Sequence, residues 1–276
     1  MAKNDIVFAG SIPAVYDRHL GPVLFEPYAA DLVARLPRLA EGAILETAAG
    51  TGIVTQQLAA ALPATVRIVA TDLNRPMLDH AASKPGTARV TFQHANALEL
   101  PFADGEFDAV VCQFGVMFFP DRVAGYREAL RVLKPEGQLI FSVWDALARN
   151  PCAETVSDAV AARFPHDPPQ FFARVPYAYH DVGVIRAELA AAGFTSVAVE
   201  TVTLPSRAAS HRDPVIGMCQ GTPLRGEIEA RDPDGLHATT DAAAEALAAR
   251  FGTGPIEAPM QALVVTASTP FREIPR

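Results

Sequence analysis

The chain has 276 residues, half of them hydrophobic, and a formal net charge of −8. That composition supports a sizeable core and excludes wholesale disorder, and the acidic balance argues against a nucleic-acid polyanion as the main partner. The three cysteines, Cys112, Cys152 and Cys219, form no CxxC pair, so they suggest neither a disulfide framework nor a zinc site and fit a reducing cytoplasmic setting.

The N-terminus, Met1-Ala2-Lys3-Asn4-Asp5, carries an early acid and no long apolar run, so no signal peptide is expected. Phe25, Tyr28, Ala29, Leu32, Val33 and Leu36 fall at helical spacing and predict an amphipathic helix closed by Pro37 and Gly42. A first strand is predicted from Ala43 to Thr47. Ile53, Val54, Leu58, Ala61 and Leu62 then mark a helix ended by Pro63. Val66 to Thr71 reads as the second strand, Asn74-Arg75-Pro76 as a helix start, Arg89 to His94 as the third strand and Asp104-Gly105 as a turn. Phe107 to Cys112 is a strongly apolar fourth strand. The most apolar window, Val110 to Phe119, is too short to span a bilayer. Asp121 is placed to cap a helix through Leu133, and Lys134-Pro135-Glu136-Gly137 reads as a turn into a fifth strand, Gln138 to Val143.

Beyond Trp144 the pattern loosens. A helical piece, Ala153 to Phe164, leads into a Pro-rich aromatic stretch that includes Phe171, Phe172, Tyr177 and Tyr179. A helix from Val182 to Ala192, ended by Gly193, and a strand from Ser196 to Leu204 follow. Residues 205–258 read as polar and Gly/Pro-rich with one Ala-rich helix, Asp241 to Phe251, before a last strand from Gln261 to Ala267. Alternation of strand and helix predicts an α/β fold with a parallel sheet covered on both faces. The expected organisation is a single domain over residues 1–276. Residues 14–145 form its core, 146–180 a lid or substrate insertion and 205–258 a second insertion, while 181–204 and 259–268 complete the core.

The first strand runs into Glu46-Thr47-Ala48-Ala49-Gly50-Thr51-Gly52, a turn whose glycines permit close approach of backbone to ligand. Thr55 stands where the dinucleotide fingerprint wants a third small residue, and no Walker Gly-Lys-Ser/Thr follows. A pyrophosphate on this helix N-terminus would be repelled by Glu46. S-adenosylmethionine carries an ammonium and a sulfonium that an acid attracts. Asp72 ends the second strand about 20 residues beyond the glycines, where a carboxylate can accept hydrogen bonds from both ribose hydroxyls. Each element alone is also an ordinary tight turn or cap; together and in order they point to a nucleoside site.

Five motifs then resemble the class I S-adenosylmethionine-dependent methyltransferases: Glu46-x-x-x-Gly50-x-Gly52, Thr71-Asp72-Leu73-Asn74 with Met77, His94 to Phe102, Phe107 to Gln113, and Arg131 to Gly137. The last two resemble the small-molecule branch that includes the ubiquinone/menaquinone-biosynthesis enzymes. The resemblance implies a Rossmann-like, doubly wound, mostly parallel seven-stranded sheet with N-terminal helices and a lid insertion. It implies S-adenosylmethionine as cofactor, held by Glu46, Ala48, Gly50, Gly52, Asp72, Leu73, Met77, Asn96, Ala97 and Gln113. Leu73 or Met77 would pack on the adenine, Asn96 would accept from its amino group, and Ala97 would offer its N–H to the ring.

The acceptor implied is a small apolar or aromatic molecule, with Tyr16, Phe25, Phe114, Trp144, Phe172 and Tyr177 as candidate contacts; for the aromatic insert, a satellite core is the competing reading. Methyl transfer is an in-line displacement that asks mainly for alignment and exclusion of water. Tyr16, His19 and His180 are weak catalytic candidates, His211 a further one; no His-Asp spacing supports any of them, and no metal is expected. A homodimer is compatible with this reading, a membrane span is not. The alternatives are a non-catalytic S-adenosylmethionine-binding protein and a nucleotide-linked oxidoreductase on a similar sheet.

Overall fold

The computed structural model describes residues 5, 8 and 10–269. In chain order its elements begin with α1 (Ile12–Leu20), a π-helical turn (Gly21–Phe25), α2 (Glu26–Ala34), β1 (Gly42–Glu46), α3 (Ile53–Ala61), β2 (Val66–Asp72), α4 (Arg75–Ala82) and β3 (Thr91–His94). There follow β4 (Phe107–Gln113), α5 (Arg122–Val132), β5 (Leu133–Trp144), α6 (Pro151–Arg163), α7 (Phe171–Arg174) and α8 (Val182–Ala192). The last are β6 (Ser196–Ala208), α9 (Arg212–Gln220), α10 (Leu224–Arg231), α11 (Leu236–Phe251) and β7 (Ile256–Ser268).

These elements fall into two compact units. The sheet unit comprises Ala29–Val143, His180–Thr201 and the described part of Leu263–Arg276. The helical unit comprises the described part of Met1–Tyr28, Trp144–Tyr179 and Val202–Ala262.

The seven strands are ordered β3-β2-β1-β4-β5-β7-β6, and the pairings β3–β2, β2–β1, β1–β4 and β4–β5 are parallel. The expected Rossmann-like sheet is therefore present. Its central strands are apolar on both faces, with Ile44, Leu45, Ile68, Val111 and Ile140 buried, as a sheet covered on both sides requires. Local signals set the helix starts. Asp121 accepts the Ala124 N–H at 2.9 Å at the head of α5. Asp181 accepts the N–H groups of Gly183 and Val184 at 2.7 and 3.1 Å at the head of α8.

Three sequence expectations are corrected. The helix foreseen over Phe25 to Leu36 is α2, but Phe25 falls in the π turn before it and Leu36 beyond its end. Lys134-Pro135-Glu136-Gly137 does not stop the chain but lies inside β5, where Glu136 takes φ 64° and the register with β4 shifts between Phe107 and Ala109. An irregularity of this kind absorbs Pro and Gly without ending the strand. Residues 205–258 hold three helices rather than one, because α9 and α10 form as well as α11, and β6 and β7 run further into this stretch than foreseen.

In the helical unit, α6, α9 and α11 pack together, burying Val156, Val215, Met218 and Leu247. The Tyr28 hydroxyl lies 2.9 Å from the carbonyl oxygens of both Val202 and Met260. Arg174 pairs with Asp5 and Glu227, and Glu227 also accepts the Gln170 and Phe171 N–H groups at the start of α7. No helix of the described residues is long and apolar enough to cross a membrane.

Candidate cofactor site at the strand switch point

From β1 the chain builds outward through β2 to β3, then returns to place β4 on the other side of β1. Ligands of open α/β sheets lie beyond the strand C-termini at such a switch point. Here the two loops that leave β1 and β4 each hold a non-glycine residue in the left-handed region, Ala48 at φ 52° and Phe114 at φ 51°. Strain of this kind gathers at functional sites, where surrounding bonds fix it. Thr47 donates its N–H to Val111 and Ala49 to Thr71, both at 2.9 Å, while Phe114 donates to Ser142 at 3.0 Å.

Strand register decides which side chains share a face. Glu46 is level with Ala70 and with Val111, and Gln113 with Ser142, so Glu46, Asp72, Gln113 and Ser142 project from one side of the sheet near its C-terminal edge. Glu46 is only 2 % exposed, and its Oε2 accepts the Thr55 hydroxyl at 2.5 Å. Asp72 is buried too; its two oxygens accept the Gly50 N–H and the Asn74 N–H, each at 2.7 Å. Asp72 thus ties the glycine turn to the start of α4. Burial raises the pKa of both acids, that of Glu46 to about 8, against the opposing bonds from Thr55 to Glu46 and from Gly50 and Asn74 to Asp72. No lysine or arginine pairs with either carboxylate among the described residues; His94, in register with Asp72 on β3, is the basic group that acts on it.

The two glycines do different work. A Cβ on Gly50 would meet only the Met77 methyl at 3.8 Å, so this position is open, as a ligand-facing turn needs. A Cβ on Gly52 would fall 2.8 Å from the Ala81 Cβ, so this glycine serves the packing of α4 on the head of α3. Beside them Leu73 is 48 % exposed, a large apolar side chain left uncovered at the end of β2. The buried Thr51 hydroxyl has no hydrogen-bond partner among the described residues. Turn, acids and apolar flank fit a ligand with a cationic end and a flat apolar end.

Residues 44–137 match the family of methyltransferase domains. This stretch is similar to a methyltransferase domain. Over 109 residues the chain is 40% identical to the ubiquinone/menaquinone biosynthesis C-methyltransferase UbiE of Geotalea uraniireducens, a match to 38% of this chain and 46% of that one. It is also 40% identical over 115 residues to the demethylmenaquinone methyltransferase of Deinococcus radiodurans, covering 41% of this chain and 46% of that one. The chain spans a little under half the length of these curated relatives. Among solved structures, YcgJ of Bacillus subtilis aligns with a TM-score of 0.56 at 20% identity, over 90% of this chain and 100% of its own. Phosphoethanolamine N-methyltransferase 2 of Haemonchus contortus, solved with phosphomonomethylethanolamine and S-adenosylhomocysteine, aligns at 0.60 with 16% identity, over 94% of this chain and 57% of its own. Both share the Rossmann-like fold.

All ten residues expected to hold the cofactor lie within the matched methyltransferase stretch. Asn96 is exposed beyond β3, and its Oδ1 accepts the Leu98 N–H at 3.1 Å, which fixes the loop that carries Ala97. Gln113 ends β4 and Phe114 is buried just after it. The other aromatic candidates lie outside the methyltransferase stretch, in the helical unit, and form one connected cluster. Tyr16 stacks on Phe25 at 4.8 Å, Phe25 and Tyr177 approach Trp144 at 6.2 and 6.0 Å, and Phe172 meets Tyr177 at 6.1 Å. Burial pushes the Tyr177 hydroxyl pKa upward.

The histidines divide. His180 is exposed, His211 reaches the Thr253 carbonyl at 3.1 Å, and His19 lies 3.3 Å from Asp213. No sequence spacing pointed to the last pair: α1 and α9 bring the two together across 194 residues of chain. Sequence reasoning also missed the structural part played by Thr55, which it took only as a departure from the dinucleotide pattern. All three cysteines are buried free thiols. An open depression of about 470 Å³ lies elsewhere on the sheet unit, between the chain just before β1 and the end of α3, lined by Leu36, Arg38, Leu39 and Leu62.

Proposed function

We propose that this chain transfers a methyl group from S-adenosylmethionine to a small apolar or aromatic acceptor. The observation that carries the reading is the buried pair Glu46 and Asp72 at the switch point, two acids on one sheet face with no lysine or arginine partner among the described residues. Leaving such groups ionised without a countercharge is costly, so the arrangement favours a ligand that brings positive charge. A dinucleotide pyrophosphate brings the opposite sign. The cofactor, when bound, supplies a methyl group activated by a sulfonium for in-line displacement.

The chain's own part is to bind and align. Glu46 faces the ammonium of the methionine portion, and the open backbone at Gly50 lets that portion approach. Asp72 accepts from the ribose hydroxyls with the lone pairs left over from Gly50 and Asn74. Leu73 and Met77 offer an apolar surface to the adenine, and the Ala97 N–H meets its edge. Catalysis then rests on proximity, orientation and exclusion of water. The reading needs neither a metal nor a general base. For the acceptor we look first to aromatic rings of the quinone-precursor class, supported by the names of the curated relatives.

Calorimetry with S-adenosylhomocysteine and with NADH tests the cofactor. Binding of the first with no heat from the second is expected; tight NADH binding alone overturns the reading. Asp72→Ala should weaken S-adenosylhomocysteine binding by about 100-fold, since it removes charge-assisted bonds to the ligand and to the turn. Unchanged affinity would remove Asp72 from the site. Turnover on a panel of aromatic acceptors separates an enzyme from a binding protein, and activity abolished by a chelator would refute the metal-free mechanism.

A further inference from the structure

We propose that Thr55 is a positioning residue of the cofactor site: its hydroxyl fixes the Glu46 carboxylate to receive the cofactor's ammonium, and Glu46 gives up a proton when that ammonium arrives. The proposal rests on the cofactor reading above. Its ground is geometric. Thr55 stands in the first turn of α3, fully buried, and its hydroxyl donates to Glu46 at 2.5 Å across nine residues of chain. The Thr71 hydroxyl donates to the Glu46 carbonyl at 2.9 Å, so strand and side chain are both held.

The titratable groups that act on Glu46 are Asp72 from β2 and Cys112 from β4, and neither is a cation. Cys112 is a buried thiol pushed up to about 12, so it stays neutral. Burial first, then the charge of Asp72, raise Glu46 to about 8, and the Thr55 bond pulls the other way by favouring the carboxylate. At neutral pH the free protein therefore holds Glu46 mostly as the acid. Binding converts it to a carboxylate paired with the ammonium, and its proton goes to solvent. Affinity should rise with pH by up to about tenfold per unit until about 8, and level off above that, where Glu46 is already ionised in the free protein.

The test is calorimetric titration of the full chain with S-adenosylhomocysteine at about pH 6.5, in buffers of different ionisation enthalpy. Close to one proton should be released by the native chain and none by Glu46→Gln. Thr55→Val, equal in shape, should lose about 10- to 100-fold in affinity at that pH and recover part of it at higher pH, while Thr55→Ser keeps native behaviour. A purely structural role would lower affinity equally at every pH, and that result overturns the proposal. So does proton release that is absent in the native chain or unchanged in Glu46→Gln, which decides the matter even where Thr55→Val does not fold. Failure of the native chain to bind S-adenosylhomocysteine at all would instead remove the cofactor reading beneath it.

Discussion

The turn after β1 and the aromatic cluster around Trp144 are both buried, for opposite reasons. The turn buries polar groups: two acids, two threonine hydroxyls and backbone N–H groups, bound to each other at 2.5 to 2.9 Å. Its Ala48 is held in a sparsely populated conformation. The cluster buries rings: Phe25, Tyr28, Trp144, Phe172 and Tyr177, with centroids 5.4 to 6.2 Å apart. Groups of the first kind are expensive to bury without a partner, which is the ground for proposing a ligand beside them. Groups of the second kind gain from burial whatever lies beside them and so specify a core at least as readily as a binding wall. The match to methyltransferase domains covers the first region and ends at residue 137, before Trp144.

The same contrast decides what could be read from the sequence. The turn after β1 is built from contiguous segments, so strand, glycines and Asp72 announce themselves by local spacing. Helix α8 falls on the predicted Val182–Ala192 because Asp181 and Gly193 mark its two ends. Helices α9 and α10 were not legible. They carry Pro214, Gly217, Pro223 and Gly226 in or beside short spans, and they form where Val215, Met218, Leu224 and Ile228 find neighbours to bury them. Thr55 reads as a poor glycine substitute until the fold brings it to Glu46. The His19–Asp213 pair and the connection of Tyr16 through Trp144 to Tyr177 join distant parts of the chain, which periodicity cannot report.

The largest expected effect tests the aromatic side. Trp144→Ala should destabilise the protein by about 3–5 kcal/mol in urea denaturation, and Trp144→Phe by less than about 1.5 kcal/mol, if the cluster is chiefly core. A small stability loss from Trp144→Ala together with loss of acceptor turnover would break the contrast and make the cluster a binding wall.

The polar side is sharpened by its two glycines. Gly52→Ala places a methyl 2.8 Å from the Ala81 Cβ at φ 79°, and should cost about 2–3 kcal/mol in stability. Gly50→Ala meets only strain at φ 55°, with Met77 at 3.8 Å, and should cost about 1 kcal/mol while reducing S-adenosylhomocysteine affinity more than stability. Equal stability losses with no effect of Gly50→Ala on binding would mean that both glycines serve packing and that the turn is not a cradle.

The smallest effect probes a polar contact embedded in the aromatic cluster. Tyr28 packs edge-on against Trp144 at 5.4 Å, and its hydroxyl shares one proton between the carbonyls of Val202 and Met260. Tyr28→Phe keeps the ring and removes only the hydroxyl, so urea denaturation should show a loss of about 1 kcal/mol with an unchanged denaturant slope. If ring burial dominates this region, the loss stays well below that of Trp144→Ala. A loss as large as Trp144→Ala would mean that the carbonyls, not the rings, hold the cluster, and the two buried regions would then be polar networks of one kind.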